Sequence, residues 1–350
     1  MSVTISGKKE MRSLCRHSCG RYFSAIQQAR GKAQGRKIFN ALKAKLEIED
    51  KGEVSFALDT KIERRKELGL LRISQETYID GTLKEYNLTE AQGMDTPAPQ
   101  DELTEKDQPK TNGEREKVKS YPVRNAIGKL WWLALISRPD IICALHKCAT
   151  LQNKPSEKLW KHIIWIMKYL KQTKKEALIY RRPEKGEEFV AFCDSSFAGE
   201  PHSKSRYGYL FFVFGALVSW TSANSTRVLT SSTEAECHAL VHAIKENTWQ
   251  KEFVQELGLF DKLPATTIFQ DNQSTIRLTE NAGQHKRSKH FGIEFDAARE
   301  HIKNGEVNVK YIPTGDMHAD ILTKSLQREK FNKHKTKILG RKEEQSAFVR

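Results

Sequence analysis

Four acidic residues lie where predicted strands end or predicted helices begin: Asp194, Glu236, Asp271 and Asp320. A carboxylate in such a place is costly to remove from water unless a positive charge compensates it, and a divalent cation is the simplest compensation. A set of oxygen ligands favours Mg²⁺ or Mn²⁺ over zinc, which prefers histidine and cysteine. The sequence therefore predicts a divalent-cation site, provided that the fold brings these carboxylates together.

Two glutamates compete to be the acid that the long predicted helix contributes. Ser231 to Glu234 have the spacing of a capping box, in which the Glu234 side chain reaches back to the start of the helix. Glu236 shares a helix face with Leu240 and Ala243, the stripe expected to meet the sheet. An ionised carboxylate on a buried stripe needs a partner, so Glu236 is the better candidate metal ligand.

The second half of the chain alternates between strands and helices. Hydrophobic periodicity predicts five strands, at Phe189–Cys193, around Tyr209–Phe214, around Ala216–Trp220, at Thr266–Phe269 and at Val307–Ile312. It predicts helices from Thr233 to Leu257, at Ser274–Thr279, at Ile293–Ile302 and from His318 onwards. Three strands followed by alternating helices and strands indicate an α/β fold on a mixed sheet, whose ligands usually bind at strand ends.

The first half of the chain is predicted to form a smaller, mostly helical region. Residues 1–36 read as a basic, flexible arm, followed by a short helix from Ile38 to Leu46, a strand at Val54–Leu58 and a helix after Ile73. Residues 89–122 are rich in proline and polar residues and have few large apolar side chains, which predicts a linker. Residues 123–172 are predicted to be helical.

Composition narrows the class of protein. The 350 residues carry a formal charge of +15, with 38% hydrophobic and 29% charged residues, which excludes collagen, a coiled-coil rod and a wholly disordered chain. The longest apolar run, Leu130 to Ile136, is too short to cross a membrane, and the sequence has no signal-like apolar start. We therefore expect an intracellular protein, cytoplasmic or nuclear, whose six cysteines fill apolar space.

The positive charge is concentrated at the two ends of the chain. Residues 1–46 hold eleven Lys and Arg residues and one acid, and residues 327–350 hold eight Lys and Arg residues and three acids. Basic arms suit the neutralisation of nucleic-acid phosphates, and they suit a solubilising tail equally well. Charge alone leaves both interpretations open.

A series of motifs in a fixed order resembles one known family. They are CDSSFAG from Cys193, GYLFF from Gly208 with VSW ending at Trp220, SSTEAE from Ser231, DNQSTI from Asp271, RSKH from Arg287 and YIPTGDMHADILTK from Tyr311. Four weaker motifs precede these in the chain and also match the family in their order: SQETYIDGTLKEYN, TPAP, ISRPD and KYLKQT. The segment from about residue 37 to 326 resembles the C-terminal part of the Pol polyprotein of copia-type long-terminal-repeat retrotransposons.

The resemblance implies a domain organisation and an activity. Residues 37–88 match a reverse transcriptase thumb, 123–183 a helical connection and 184–326 a ribonuclease H-like domain, with a linker at 89–122 and a basic tail at 327–350. The implied reaction is hydrolysis of the RNA strand of an RNA–DNA hybrid with two Mg²⁺ or Mn²⁺ ions. In the family's pattern Asp194 is shared by both ions, Glu236 and Asp271 complete one position, and Asp320 holds the other.

The candidate nucleic-acid contacts are Asn272 of the DNQSTI motif and three basic residues of the segment 284–290: Lys286, Arg287 and Lys289. That segment either touches phosphates or is simply solvated. The family usually has Ser-Lys-Lys-Gln where this chain has Ser222 to Ser225, so two lysines and a glutamine that could contact phosphate are missing. This departure keeps open the alternative of a catalytically silent remnant that binds nucleic acid. A strand-transfer nuclease of the integrase type is disfavoured by the spacing of the acids.

No polymerase activity is expected, because reverse transcription needs a Tyr-x-Asp-Asp turn and the sequence contains no Asp-Asp pair. Tyr78-Ile79-Asp80-Gly81 looks similar but falls in the thumb-like helix. The expected partners are an RNA–DNA hybrid and the palm and fingers of the reverse transcriptase, or other proteins of the same element. Exposed tryptophans at 131 and 132 would favour such a protein partner.

Overall fold

The structure is a computed structural model that describes residues 3–5, 31–50, 52–181, 189–256, 263–280 and 292–348. The candidate phosphate contacts Lys286, Arg287 and Lys289, and most of the predicted basic arm at 1–36, lie outside the described residues. Val3–Ile5, β1, pairs antiparallel with Ile48–Asp50, β2, and helix α1 is Gly31–Lys43.

A five-stranded mixed sheet is the centre of the second half of the chain. Its strands are β7 (Phe189–Glu200), β8 (Lys204–Val213), β9 (Ala216–Asn224), β10 (Thr266–Gln270) and β11 (Val307–Tyr311). Their order across the sheet is β11-β10-β7-β8-β9. The first three strands pair antiparallel, as short turns between consecutive strands allow, whereas β10 and β11 follow helical connections and lie parallel to β7. The predicted mixed α/β sheet is confirmed.

Helices cover both faces of this sheet. The helices of the second half are α7 (Ser232–Glu256), α8 (Gln273–Glu280), α9 (Gly292–Lys303), α10 (Asp320–Thr323), α11 (Arg328–Leu339) and α12 (Lys342–Ser346). One hydrophobic cluster joins Ala191 and Phe211 of the sheet to Leu240 of α7 and Phe295 of α9. A second and larger cluster covers the other face.

That larger cluster includes helices from the first half of the chain. These helices are α2 (Glu76–Glu85), α3 (Asn112–Val118), α4 (Val123–Ile136), α5 (Ile142–Thr150) and α6 (Glu157–Gln172). The cluster runs from Ile73 through Leu130 and Met167 to Trp220, and the Trp220 indole N–H donates to the carbonyl of Ala134 at 2.9 Å. The helical region and the mixed sheet therefore share one core.

The first half also contains a four-stranded antiparallel sheet that the sequence did not predict. Its strands, in spatial order, are β3 (Phe56–Ala57), β4 (Thr60–Arg65), β5 (Leu70–Ser74) and β6 (Leu178–Arg181). Ile73, expected to lead into a helix, lies in β5. The sheet depends on pairing between β5 and β6, which are far apart in sequence, and local periodicity carries no signal of such a partner.

The predicted linker and basic tail are folded in the structure. Between 89 and 122, Leu103 and Val118 are buried, and Thr111 and Glu114 form the capping box of α3. In the tail, α11 buries Phe331 and Leu339 against the shared core. A few well-spaced apolar residues are enough to hold these polar segments, so composition alone was a poor guide here.

A buried ion pair lies inside this core. The Arg138 guanidinium donates to both carboxylate oxygens of Asp140, at 3.0 and 2.7 Å, and to the carbonyl of Thr173 at 3.1 Å. The Tyr169 hydroxyl donates to the same aspartate at 2.5 Å, and the Arg138 and Asp140 side chains are fully buried. The cluster ties the end of α4 to the end of α6.

Two further expectations concern cysteines and membranes. Cys143, Cys148, Cys193 and Cys237 are free thiols in buried positions, which agrees with their predicted role as apolar fillers. Among the described helices, none combines the length and the apolar character needed to cross a membrane.

Candidate active site

The strand register brings two of the predicted acids to the same level. Val190 to Phe192 of β7 pair with Thr267 to Phe269 of β10, so continuing the parallel register places Asp271 beside Asp194. Glu236 lies in the first turns of α7, which packs across β7. The three acids therefore converge where β10 ends, although β7 continues past Asp194 to Glu200, beyond the predicted strand end at Cys193.

The side chains of Asp194, Glu236 and Asp271 form one cluster. Each offers a carboxylate oxygen, and these oxygens lie within 4.8 Å of one another. Asp194 and Glu236 are buried, and Asp271 is partly exposed, so the cluster opens to solvent on one side. An all-oxygen cluster with one open side has the ligand chemistry of a Mg²⁺ or Mn²⁺ site.

Asp320 lies next to this cluster and is held by lysines. Its side chain is fully buried, with Lys324 at 2.8 Å from Oδ1 and Lys330 in contact with Oδ2. The Lys324 ammonium is also 3.3 Å from the carboxylate of Asp194. The structure thus groups three of the four predicted acids directly, and it links the fourth to them through an ammonium group.

Neighbouring polar groups orient the clustered acids. The Gln270 amide donates to Glu236 at 3.3 Å, while its oxygen accepts from the backbone N–H groups of Asp271 and Asn272 at 2.8 and 3.1 Å. The hydroxyl of Thr314 donates to Asp271 at 2.8 Å, and that of Thr323 donates to Asp194. The acids are therefore fixed in place by the protein itself.

Close packing explains the glycine of the GYLFF motif. Gly208 pairs with Asp194 across β7 and β8, and a Cβ at this position would lie 2.7 Å from the Cβ of Leu322 and 3.1 Å from the carbonyl of Thr221. A side chain here would push α10 away from the sheet. The glycine lets α10 approach closely enough for Thr323 to reach Asp194.

The electrostatics differ among the four acids. Burial, together with the charges of Asp320 and Asp271, raises the pKa of Asp194 to about 7, although Lys324 and Thr323 oppose the rise. Burial and the charge of Asp194 hold the pKa of Glu236 well above its ordinary value. Burial acts in the same direction on Asp320, but its two lysines outweigh it, so the pKa of Asp320 is lowered. The clustered acids are thus short of positive charge.

This shortage predicts how the stability of the metal-free protein depends on pH. Folded Asp194 binds its proton up to about pH 7, whereas the unfolded residue loses it near its ordinary pKa of 3.8. The free energy of unfolding should therefore fall between about pH 4 and pH 7, by an amount of the order of a few kcal/mol. Asp320 has a lowered pKa, so its own contribution is lost only at still lower pH.

Urea unfolding of the full chain in EDTA at pH 5 and pH 7.5 measures this effect. Asp194→Asn should flatten the pH dependence, and Mg²⁺ should restore stability at the higher pH. An equal or greater stability of the metal-free parent protein at pH 7.5 would contradict the prediction.

Glu234 behaves as the capping residue that the sequence predicts. Its carboxylate accepts from the backbone N–H and the hydroxyl of Thr230, both at 2.7 Å, and pairs with Arg227 at 2.8 Å, while its own N–H donates to Ser231. It is not among the clustered acids. Of the two competing glutamates, Glu236 is the one that lies at the cluster.

Some residues considered as nucleic-acid contacts are already hydrogen-bonded within the protein. The Asn272 side chain accepts from the N–H of Thr275 at 3.0 Å and so caps α8 beside the cluster. Ser222 and Ser225, at two positions of the altered loop, are buried. Ser222 accepts from Arg206 and donates to the carbonyl of Leu322, and Ser225 donates to the carbonyl of Arg227. These serines support the sheet edge rather than face a ligand.

Sequence reasoning missed five residues at the site: Gln270, Thr314, Thr323, Lys324 and Lys330. The signal for Gln270 was a lone amide at the end of the apolar strand TTIFQ. Thr314, Thr323 and Lys324 belong to the motif YIPTGDMHADILTK, in which only Asp320 was assigned a role. For Lys330 no signal existed, because it is one of several lysines in α11.

Some solved structures are similar to parts of this chain. LC11-RNase H1, isolated from compost, is 16% identical and has a TM-score of 0.31 over 42% of this chain and 97% of that chain. The foamy viral protease-reverse transcriptase in complex with dsDNA is 11% identical, with a TM-score of 0.35 over 58% of this chain and 42% of that chain. What the structure itself shows is a mixed five-stranded sheet with helices on both faces, as the sequence predicts.

Comparisons with curated sequences identify the relatives. The retrovirus-related Pol polyprotein from transposon TNT 1-94 of Nicotiana tabacum is 33% identical over 300 residues, or 84% of this chain and 22% of that protein. The polyprotein from transposon RE1 of Arabidopsis thaliana is 29% identical over 301 residues, or 85% and 20%. No family model matches. The homologues of this chain are Pol polyproteins of copia-type transposons, and it spans about a fifth of their length.

Proposed function

We propose that the chain hydrolyses the RNA strand of an RNA–DNA hybrid with divalent cations bound at the carboxylate cluster. The observation that carries this proposal is the grouping of Asp194, Glu236 and Asp271 within 4.8 Å at the edge of a mixed sheet. Homology to Pol polyproteins supports it. The structure of LC11-RNase H1 in complex with RNA/DNA hybrid, whose TM-score is 0.30, shows hybrid binding by that protein.

The residues present fit a divalent cation. Burial and mutual repulsion raise the pKa of Asp194 to about 7, which is the behaviour of an acid whose counter-charge is incomplete. All three donors are carboxylates, which suit Mg²⁺ or Mn²⁺. Bound at these acids, two such ions would supply an activated water and positive charge at the phosphate and the departing 3′ oxygen.

Each acid has a proposed part in holding the ions. Asp194 is central, since it touches both the cluster and the Lys324 that links it to Asp320. Glu236 and Asp271 would complete one ion position, and Asp320 would belong to the second. Gln270 and Thr323 keep Glu236 and Asp194 oriented, so the protein bears the cost of ordering these side chains before a substrate arrives.

Recognition of the hybrid would rest on its backbone. Specificity of this kind uses duplex shape, phosphates and 2′-hydroxyls in preference to bases. The proposed contacts are Asn272, beside the cluster, together with Lys286, Arg287 and Lys289. The catalytic domain is proposed to be 184–326, with 37–88 and 123–183 as the thumb-like and connection regions that pack on it. The palm and fingers of a reverse transcriptase remain the proposed protein partner, and no polymerase activity is proposed for this chain.

A cleavage assay with the full chain tests the proposal. An RNA–DNA hybrid labelled on the RNA strand should be cut in Mg²⁺ or Mn²⁺ and left intact in EDTA, while RNA and DNA duplexes of the same sequence should survive. Cleavage of all three duplexes would indicate an unspecific nuclease. An intact hybrid in both metals would overturn the proposal.

A silent nucleic-acid-binding remnant is the second candidate. Two lysines already neutralise Asp320, and Ala223 and Asn224 stand where the family resemblance places two lysines that could contact phosphate. This candidate predicts salt-sensitive binding of the hybrid without cleavage in either metal. Gel-shift and cleavage measurements on the same sample separate the two candidates.

A further inference from the structure

Both oxygens of Asp320 are occupied by ammonium groups from two different elements. Lys324 follows α10 directly and binds Oδ1 at 2.8 Å, and Lys330 reaches Oδ2 from α11. The aspartate side chain has no exposed surface. A buried carboxylate that is paired in this way has its charge matched without any metal.

Lys324 also extends this neutralisation to the carboxylate cluster. Its ammonium lies 3.3 Å from Asp194, which is the acid that joins the cluster to Asp320. It therefore sits between the two carboxylates that a second cation would have to share. A cation and an ammonium group cannot occupy the same few ångströms without strong repulsion.

Both lysines approach from the surface. The side chains of Lys324 and Lys330 are 37% and 35% exposed, whereas those of Asp194 and Asp320 are 1% and 0% exposed. Lysine has a long flexible stem and a well-hydrated head, so it can swing into water without disturbing the core. The ammonium groups can therefore leave while the acids stay in place.

The charges set the number of cations that the site accepts. Asp194, Glu236, Asp271 and Asp320 carry at most four negative charges, which two ammonium groups and a single divalent cation neutralise. A second divalent cation would leave a buried excess of positive charge unless the lysines moved away. Such an excess is as costly as the buried negative charge that it replaces.

We propose that Lys324 and Lys330 are resident counter-cations, so that the site binds one divalent ion at Asp194, Glu236 and Asp271, and a second only by displacing these lysines from Asp320. The inference rests on the proposed function, because it concerns the same acids. It makes the two ions unequal: the first binds to the free protein, and the second competes with the protein's own charges.

Titration of the full chain with Mn²⁺, with free Mn²⁺ followed by electron paramagnetic resonance, measures this inequality without any nucleic acid. The parent protein should bind one ion tightly and a second at least about tenfold more weakly. In the double variant Lys324→Met/Lys330→Met, the affinity for the second ion should rise by about tenfold or more, with little change in the first.

Lys333→Met is a matched control. This lysine is on the same helix, but it binds Asp316 at 2.6 Å and the carbonyl of Gly315 at 2.7 Å, away from the cluster. Its removal should leave both affinities unchanged. Lys330→Met alone keeps Lys324 on Asp320, and an intermediate rise in the second affinity is expected from it should the double variant fail to fold.

Three outcomes would overturn the inference. They are two equally tight sites in the parent protein, a second affinity that ignores the removal of both lysines, and an equal response to Lys333→Met. In each of these cases hybrid cleavage can still occur, so the proposed function survives. Loss of the tight site together with absence of cleavage in the parent protein would overturn both.

Discussion

Asp194→Asn is expected to abolish hybrid cleavage, lowering kcat/KM by at least about a thousandfold, because the acid shared by the proposed ions loses its charge. Asparagine has nearly the same shape, and it keeps an oxygen that can accept from the Thr323 hydroxyl. The metal-free variant should be no less stable near neutral pH, since the charge that it removes is the one whose pKa is raised by burial. Cleavage rates at saturating Mg²⁺ and a urea unfolding curve measure the two effects.

Glu234→Gln is the matched control for this experiment. It also exchanges a buried carboxylate for an amide, two residues from Glu236 on the same helix, but Glu234 points to Thr230 and Arg227 and lies outside the cluster. Because Glu234 lies outside the cluster, cleavage should be retained in this variant. Glutamine keeps an oxygen that can accept from Thr230, so the free energy of unfolding should fall by about 1 kcal/mol or less. Equal cleavage by the parent protein and Asp194→Asn would dismiss the metal site at these acids.

The acids could be found from sequence because their positions follow from topology. Asp194 and Asp271 each end an apolar run in the sequence, where ligands of α/β sheets usually bind, and the parallel pairing of β7 with β10 then brings the two acids to one level. Glu236 was separable from Glu234 because the capping box explains only one of the two. The spacing of residues in the sequence was informative wherever local backbone rules decide where a side chain lies.

The lysines at Asp320 could not be found in this way. Helix α11 carries Lys330, Lys333, Lys335 and Lys337 within eight positions, and each finds a different partner or surface. Which lysine reaches the site depends on where α11 lies against α10, and that is set by packing of Phe331 and Leu339 on the shared core. Periodicity identifies the apolar face of such a helix but not the target of each charge.

The same limit applies to the buried pair Arg138–Asp140, which appeared in the sequence only as part of the ISRPD motif. Its partners Tyr169 and Thr173 come from the end of α6, and nothing local predicts that this polar cluster is fully buried. Charged residues that follow the end of a helix, as Arg138 and Asp140 do, usually lie in solvent. Long-range packing decided otherwise.

Asp140→Asn is expected to lower the free energy of unfolding by about 3–5 kcal/mol, because it leaves the Arg138 guanidinium buried without its counter-charge. The buried guanidinium and the Tyr169 hydroxyl hold the pKa of Asp140 below its ordinary value despite full burial, which shows how strongly the pair is coupled. Urea unfolding at neutral pH measures the loss. Glu116→Gln is the control, since it breaks the exposed pair with Lys119 and should cost about 1 kcal/mol or less.

The double variant Arg138→Met/Asp140→Leu separates two explanations of that loss. If the cost of Asp140→Asn comes from an uncompensated buried charge, removing both charges should recover most of the stability, because apolar side chains suit this core. If the double variant is as unstable as the single one, the hydrogen bonds to Tyr169 and Thr173 are what hold α4 against α6. A loss in Asp140→Asn no larger than in Glu116→Gln would contradict both explanations. The mixed sheet rests on these helices through Trp220 and Ala134, so hybrid cleavage should weaken only where the unfolded fraction becomes appreciable.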